Sequence, residues 1–113
     1  MKTTLTILSF AALLLFGYSC TKEKTPVVSN DCPTTISFVA TVKPMIDANC
    51  VSCHGTGGTS PALTNHAQIS ANASAISGTL KGTPQLMPLG GPALADSLIK
   101  KFDCWIQQGK LDN

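Results

Sequence analysis

The sequence predicts an all-α domain, because apolar residues recur at intervals of three to four in separate segments. The clearest segment lies near the end of the chain, and its apolar stripe consists of Leu98, Ile99, Phe102, Trp105 and Ile106. A similar spacing precedes residue 50, and another follows residue 65. Residues 86–92 (LMPLGGP) are predicted to be loop, since their prolines and glycines exclude a helix or a central strand.

Residues 1–19 have the features of a secretory signal peptide. One lysine precedes an apolar stretch, residues 5–16, that is too short to span a membrane comfortably. Ser19 and Cys20 fit the lipobox at which bacterial lipoproteins are cleaved before a lipidated cysteine, although Gly17 stands where leucine is usual. We therefore expect lipidation at Cys20 and a membrane-anchored protein of the bacterial cell envelope, facing the periplasm or the cell surface. Simple secretion and a single anchoring helix are the alternatives.

Residues 20–31 are expected to form a flexible tether, because they are polar, contain Pro26 and show no periodicity. Residues 32–113 then form a single domain. A domain this small buries too little apolar surface to be stable without an additional crosslink or cofactor. The chain has a formal net charge of +2 and no arginine, and its longest basic run is Lys100-Lys101. A nucleic-acid partner is therefore not expected, since no basic patch is available for phosphate.

Residues 36–49 are expected to form the first helix of this domain. The apolar face of this helix consists of Phe38, Val39, Val42, Met45 and Ile46. Pro44 lacks the amide hydrogen of an intrahelical bond, so the segment either kinks at this residue or begins its last turns there. The helix leads directly into the motif at Cys50.

The run Cys50-Val51-Ser52-Cys53-His54 is the attachment signature of haem c. Two thiols one helical turn apart can form thioethers with two vinyl groups on one porphyrin edge, and His54 then lies beneath the iron as its proximal ligand. A thioredoxin-like dithiol is an alternative, but no strand pattern precedes Cys50. A zinc site would need a second ligand pair at similar spacing, and the other cysteines and the other histidine stand singly. A pair of buried free thiols would leave the adjacent histidine unexplained.

Two further segments separate the motif from the final helix. Glycines and Pro61 mark residues 55–61 as a loop around the proximal side of the haem. Asn65 is suited to cap a short helix that carries His66 and that we expect to end at Gly78.

The chain contains five features in a fixed order: an N-terminal helix, the CxxCH motif, Pro61 on the following loop, a Met87-Pro88 pair and a C-terminal helix with Trp105. In this combination residues 36–109 resemble a class I cytochrome c domain, such as the small modules of bacterial envelope lipoproteins. The resemblance implies a cytochrome c-like fold of short helices around one covalent haem c, with the first and last helices in contact. It also implies that Met87 is the sixth iron ligand, that the Pro61 carbonyl accepts a hydrogen bond from His54, and that Trp105 belongs to the cofactor pocket.

The function that this resemblance implies is one-electron transfer between Fe(III) and Fe(II), with redox proteins of the envelope as donor and acceptor. An iron capped by Met87 has no open position for chemistry, so we expect a carrier and not an enzyme. A haem enzyme or sensor with a vacant sixth site is one alternative, and a haem-free dithiol oxidoreductase is another. His66 is the rival sixth ligand, although its position on a helix face favours a surface or supporting role.

Cys32 and Cys104 remain once Cys20 is assigned to lipid and the CxxCH cysteines to haem. An exported chain meets oxidising conditions, which favour a disulfide between these two residues. In the cytochrome c fold, the segment after Cys32 packs against the helix that contains Cys104. A small buried thiol at Cys104 is the alternative, since this residue lies at the edge of the apolar stripe.

Overall fold

A computed structural model describes residue 32 and residues 34–113. The signal peptide, the lipidation of Cys20 and the tether were predicted for residues 1–31 and lie outside the described residues. All regular secondary structure of the described part is helical, which confirms the all-α class. None of the helices in residues 34–113 is long and apolar enough to cross a membrane.

The helices are short and follow one another in three groups, separated by loops at residues 55–65 and 81–95. The structure contains a π-helical turn at Phe38–Val42 and five α-helices: α1 at Lys43–Asn49, α2 at Val51–His54, α3 at His66–Ala71, α4 at Ala73–Leu80 and α5 at Asp96–Gln107.

The first predicted helix is divided into a π-helical turn and α1. Pro44 lies in the first turn of α1, where its missing amide hydrogen breaks no helical bond. Ser37 begins the π-helical turn, and its hydroxyl accepts a hydrogen bond from the amide of Ala40. The prediction that Val39 lies on the buried face is wrong, since this side chain is 66% exposed. The residues of the turn that face the core are Phe38 and Val42, which lie one helical turn apart.

The core forms where this first segment packs against the last helix. The ring centroid of Phe38 lies 5.7 Å from that of Trp105, and Trp105 lies 5.5 Å from Phe102. Ile46 and Ile69 are fully buried beside this aromatic group. The first and last helical segments are therefore in contact, and burial of their aromatic rings contributes to the apolar stabilisation of the fold.

The helix predicted after Asn65 is divided at Asn72. The Asn65 carboxamide oxygen caps α3 by accepting from the amide of Gln68 at 3.0 Å. The side chain of Asn72 donates to the Gln68 carbonyl at 2.8 Å, and this local bond competes with a continuous helix. The prediction that the helix ends at Gly78 is wrong, because α4 continues to Leu80. Gly78 is required for a close approach instead: a Cβ atom there would lie 2.9 Å from the carbonyl oxygen of Thr83.

A disulfide joins Cys32 to Cys104, with an S–S distance of 2.03 Å and Cα atoms 5.6 Å apart. This is the pairing predicted for these two cysteines. It ties the segment before the π-helical turn to the buried face of α5, where Cys104 is almost fully enclosed. A free buried thiol at Cys104 is therefore excluded.

Candidate haem site

The two cysteines and the histidine of the CxxCH motif lie at the junction of α1 and α2: Cys50 stands between the two helices, and Cys53 and His54 lie in α2. The amide of Cys50 donates to Ile46 at 2.8 Å, and the amide of His54 donates to Cys50 at the same distance, so helical bonding continues through the motif. Both Cys50 and Cys53 are free thiols. Cys50 is half-buried against the core, whereas Cys53 is exposed. The two free thiols therefore belong to residues one helical turn apart, joined by a bond from the Cys53 amide to the Cys50 carbonyl at 3.1 Å.

Burial of Cys50 changes its acid chemistry. Desolvation raises the pKa of the Cys50 thiol, because the thiolate is poorly stabilised next to apolar side chains. The thiolate is the nucleophile in disulfide exchange, so Cys50 is a weak nucleophile at neutral pH.

The imidazole of His54 is held by the loop that follows it. Its Nδ1 atom lies 2.9 Å from the carbonyl oxygen of Pro61 and 3.1 Å from that of Thr59. A carbonyl oxygen can only accept, so Nδ1 must carry the proton and donate to both. The lone pair of the ring is then on Nε2, which is the nitrogen that can bind a metal. Pro61 is the acceptor that the resemblance implies.

Backbone hydrogen bonds fix this loop to α2. The amide of Thr59 donates to the carbonyl of Cys53 at 2.8 Å, and the amide of Leu63 donates to the carbonyl of His54 at 2.8 Å. Leu63 is also buried in the core, which anchors the far end of the loop. The Thr59 carbonyl is a site group that sequence reasoning missed, because a backbone acceptor has no residue signature. The glycines that precede it were the available signal.

No protein family model matches this chain, and no curated protein or solved structure is significantly similar to it. The CxxCH motif and the geometry around His54 are therefore the features that indicate a haem site.

Met87 lies in the loop between α4 and α5 and is half-buried. Its amide donates to the carbonyl of Thr79 at 3.0 Å, which ties this part of the loop to the last turn of α4. Met45, a methionine close to the motif, is buried in the core instead. Of the two methionines among the described residues, Met87 is therefore the more exposed.

Trp105 is fully buried, and its indole donates to the carbonyl of Leu111 at 2.9 Å. Its aromatic neighbours are Phe38, Phe102 and His66. These contacts place Trp105 in the core between the first segment and α5, and none of these partners belongs to the CxxCH motif.

His66 is engaged at both ring nitrogens. Nε2 lies 2.8 Å from the carbonyl oxygen of Lys110, and Nδ1 lies 3.8 Å from a carboxylate oxygen of Asp112. The ring edge also packs on Phe38, with centroids 4.8 Å apart. These contacts favour the supporting role over the role of iron ligand.

Two other features of the described residues lie apart from the motif. A groove of about 660 Å³ is lined by the Cys32–Cys104 disulfide, Leu94 and Ile99 among others, but by none of the motif residues. Within residues 32 and 34–113, no three His, Cys, Asp or Glu side chains cluster as a metal site. A haem iron takes its protein ligands from the two sides of the porphyrin plane, so a haem site does not require such a cluster.

Proposed function

We propose that this protein is a one-electron carrier that holds one haem c through thioethers to Cys50 and Cys53. The observation that carries the proposal is the ring of His54, whose Nδ1 is engaged by two carbonyls and whose Nε2 keeps its lone pair. A haem attached to the two preceding thiols needs such a nitrogen as its proximal ligand. Two free thiols on one turn, followed by an imidazole already in the required tautomer, therefore fit this cofactor.

The bound haem would supply a reversible change between Fe(III) and Fe(II). In the proposal Met87 is the sixth ligand, and its soft thioether sulfur favours the ferrous state relative to a second histidine. The bond from the Met87 amide to Thr79 supports this assignment, because it restrains the loop that carries the sulfur. If His54 and Met87 both bound the iron, no position would be open for a substrate, and the protein would be a carrier and not an enzyme.

The proposal includes a cytochrome c-like arrangement of the helices. The all-α structure and the packing of Phe38 against Trp105 support it, since the first and last helices meet in that fold. In the proposal, Trp105 contributes to the haem pocket only indirectly, as part of the core that the first and last helical segments share.

We further propose that the protein works in the bacterial cell envelope, anchored by lipid at Cys20. The Cys32–Cys104 disulfide supports an oxidising compartment, because cytosolic proteins rarely keep such bonds. Its partners would be redox proteins of the envelope that donate and accept single electrons.

The raised pKa of Cys50 opposes the haem-free dithiol alternative. In CxxC oxidoreductases the attacking cysteine has a lowered pKa, which supplies the thiolate at neutral pH. Burial shifts the Cys50 thiol in the other direction. A thiol that stays protonated at neutral pH is therefore less suited to disulfide exchange than to serving as the attachment point of a haem.

The test is production of the full chain in a bacterium with a cytochrome c maturation system. We expect a coloured protein whose intact mass exceeds that of the polypeptide by one haem, and whose haem resists acidified organic solvent. The double variant Cys50→Ser/Cys53→Ser should lose the haem, whereas the matched variant Cys32→Ser/Cys104→Ser should keep it. A colourless wild-type protein with free thiols at Cys50 and Cys53 would overturn the proposal.

A further inference from the structure

We propose that the Thr59 carbonyl is a second acceptor for the proximal imidazole and that Gly58 is the positioning residue that brings it there. The inference rests on the proposed function, because it concerns the ring that would bind the haem iron. The His54 Nδ1–H is shared between Pro61 at 2.9 Å and Thr59 at 3.1 Å. Both distances lie within the range of an N–H···O hydrogen bond.

Residue 59 connects the backbone of α2 to the ring of His54. Its amide donates to the Cys53 carbonyl at 2.8 Å, and its carbonyl accepts from the His54 ring at 3.1 Å. The contact to the ring therefore depends on how closely the loop lies against Cys53. The side chain of Thr59 takes no part in either bond.

Gly58 sets that distance. A Cβ atom on Gly58 would lie 2.3 Å from the carbonyl oxygen of Cys53, so any side chain must push the loop away from α2. Gly57 has a different role, since a Cβ atom there meets no other atom within 4 Å but the backbone φ is +75°. Gly57 makes the turn possible, and Gly58 permits the close approach that presents the Thr59 carbonyl.

A second acceptor changes the imidazole as an iron ligand. Each carbonyl that accepts from Nδ1–H adds electron density to the ring and strengthens Nε2 as a donor, and it also fixes the plane of the ring. A stronger donor stabilises ferric relative to ferrous iron. The Thr59 carbonyl thus lowers the reduction potential below the value that Pro61 alone would give.

The experiment compares Gly58→Ala with Thr59→Ala in the haem-loaded full chain. Loss of the second acceptor in Gly58→Ala should raise the equilibrium ratio of ferrous to ferric protein about tenfold. This factor is the lower end of the range found when a hydrogen-bond partner of a metal ligand is removed. For a one-electron couple this is a rise in potential of about 59 mV. Thr59→Ala keeps the carbonyl and should leave the potential unchanged. An unchanged potential in Gly58→Ala, with its axial-ligand spectrum intact, overturns the inference.

A measurement on the wild-type chain covers the case in which Gly58→Ala does not mature. Coupling through the hydrogen bond from the His54 Nδ1 to the Thr59 carbonyl carbon is expected in labelled ferrous protein, alongside coupling to Pro61. Coupling to Pro61 alone would contradict the assignment. If the wild type carries no haem, the proposed function fails, while the same measurement on the haem-free chain still decides whether Thr59 contacts the ring.

Discussion

The Nε2 atom of His66 lies 2.8 Å from the carbonyl oxygen of Lys110. The carbonyl only accepts, so this nitrogen carries the proton and donates, and it offers no lone pair to a metal. Gly109 and Lys110 have φ values of 91° and 57°, and these positive angles turn the chain back from α5 toward His66. His66 therefore joins α3 to residues 110–112 on the side of the core where Phe38 and Trp105 lie.

We predict that His66 stabilises the fold without contributing to iron ligation. His66→Phe keeps a ring against Phe38 but loses the bond to Lys110, and should cost about 1 kcal/mol of unfolding free energy. His66→Ala also loses the ring packing and should cost about 2–3 kcal/mol. Denaturant unfolding measures both values, and Asp112→Asn is the control, with an expected change below about 0.5 kcal/mol. A change of the axial-ligand spectrum in His66→Ala would contradict the assignment.

Met87 is predicted to be the distal ligand. In Met87→Ala the weak sulfur-to-iron band near the red edge of the oxidised spectrum should disappear, while the haem stays covalently attached. The potential should also change, because the soft sulfur that stabilises ferrous iron is lost. The control is Met45→Leu, which replaces a buried methionine at similar volume and should keep the band at a cost below about 1.5 kcal/mol. An oxidised wild-type spectrum that lacks the band and is unchanged in Met87→Ala would favour the vacant or differently filled sixth site.

The Cys32–Cys104 disulfide closes a loop with a sequence separation of 72. In the chain-entropy model a loop of this size contributes about 4 kcal/mol, and the proposed haem attachment within the same loop should reduce that figure. We predict that Cys32→Ser/Cys104→Ser lowers the unfolding free energy by about 2–4 kcal/mol and leaves the haem spectrum unchanged. Alkylation of the non-reduced wild type checks the bond itself. Two modified thiols at these positions would show that the mature protein lacks it.

Cys50 and Cys53 are predicted to differ in reactivity when no haem is attached. Burial raises the pKa of Cys50, so its thiolate fraction at neutral pH is small, and Cys53 is exposed. Iodoacetamide should therefore modify Cys53 first, as measured by peptide mass spectrometry over time. Because unfolding releases a proton from Cys50 above the pKa of an unfolded thiol, the stability of the haem-free protein should fall as the pH rises through the alkaline range. Equal modification rates for the two thiols would contradict the burial of Cys50.

The short-range features of this protein could be predicted from its sequence. The spacing of apolar residues indicated α5, and Asn65 indicated the start of α3, because a helix is built from bonds between residues close in the chain. The CxxCH motif is equally local, since one turn contains all its chemical groups. The helix break at Asn72 was missed, because the bond from its side chain to Gln68 competes locally with a pattern that otherwise reads as one helix.

Contacts between distant residues needed the tertiary structure. Gly78 was predicted to end a helix, but the close approach of the Thr83 carbonyl explains this glycine. The bond between His66 and Lys110 joins residues 44 positions apart, and no periodicity encodes it. The disulfide was expected because Cys32 and Cys104 were the cysteines left over in an exported chain, and because the resemblance brought the first and last helices together.

The sequence by itself determined the all-α class, the two thiols on one turn and the histidine that follows them, because each depends on neighbours within a few residues. Only the tertiary structure decided which nitrogen of His54 carries the proton. That choice depends on where the carbonyls of Thr59 and Pro61 lie, and their positions follow from the loop being fixed to Cys53 at one end and to the core through Leu63 at the other. Backbone acceptors have no residue identity, so their placement is a property of the folded chain.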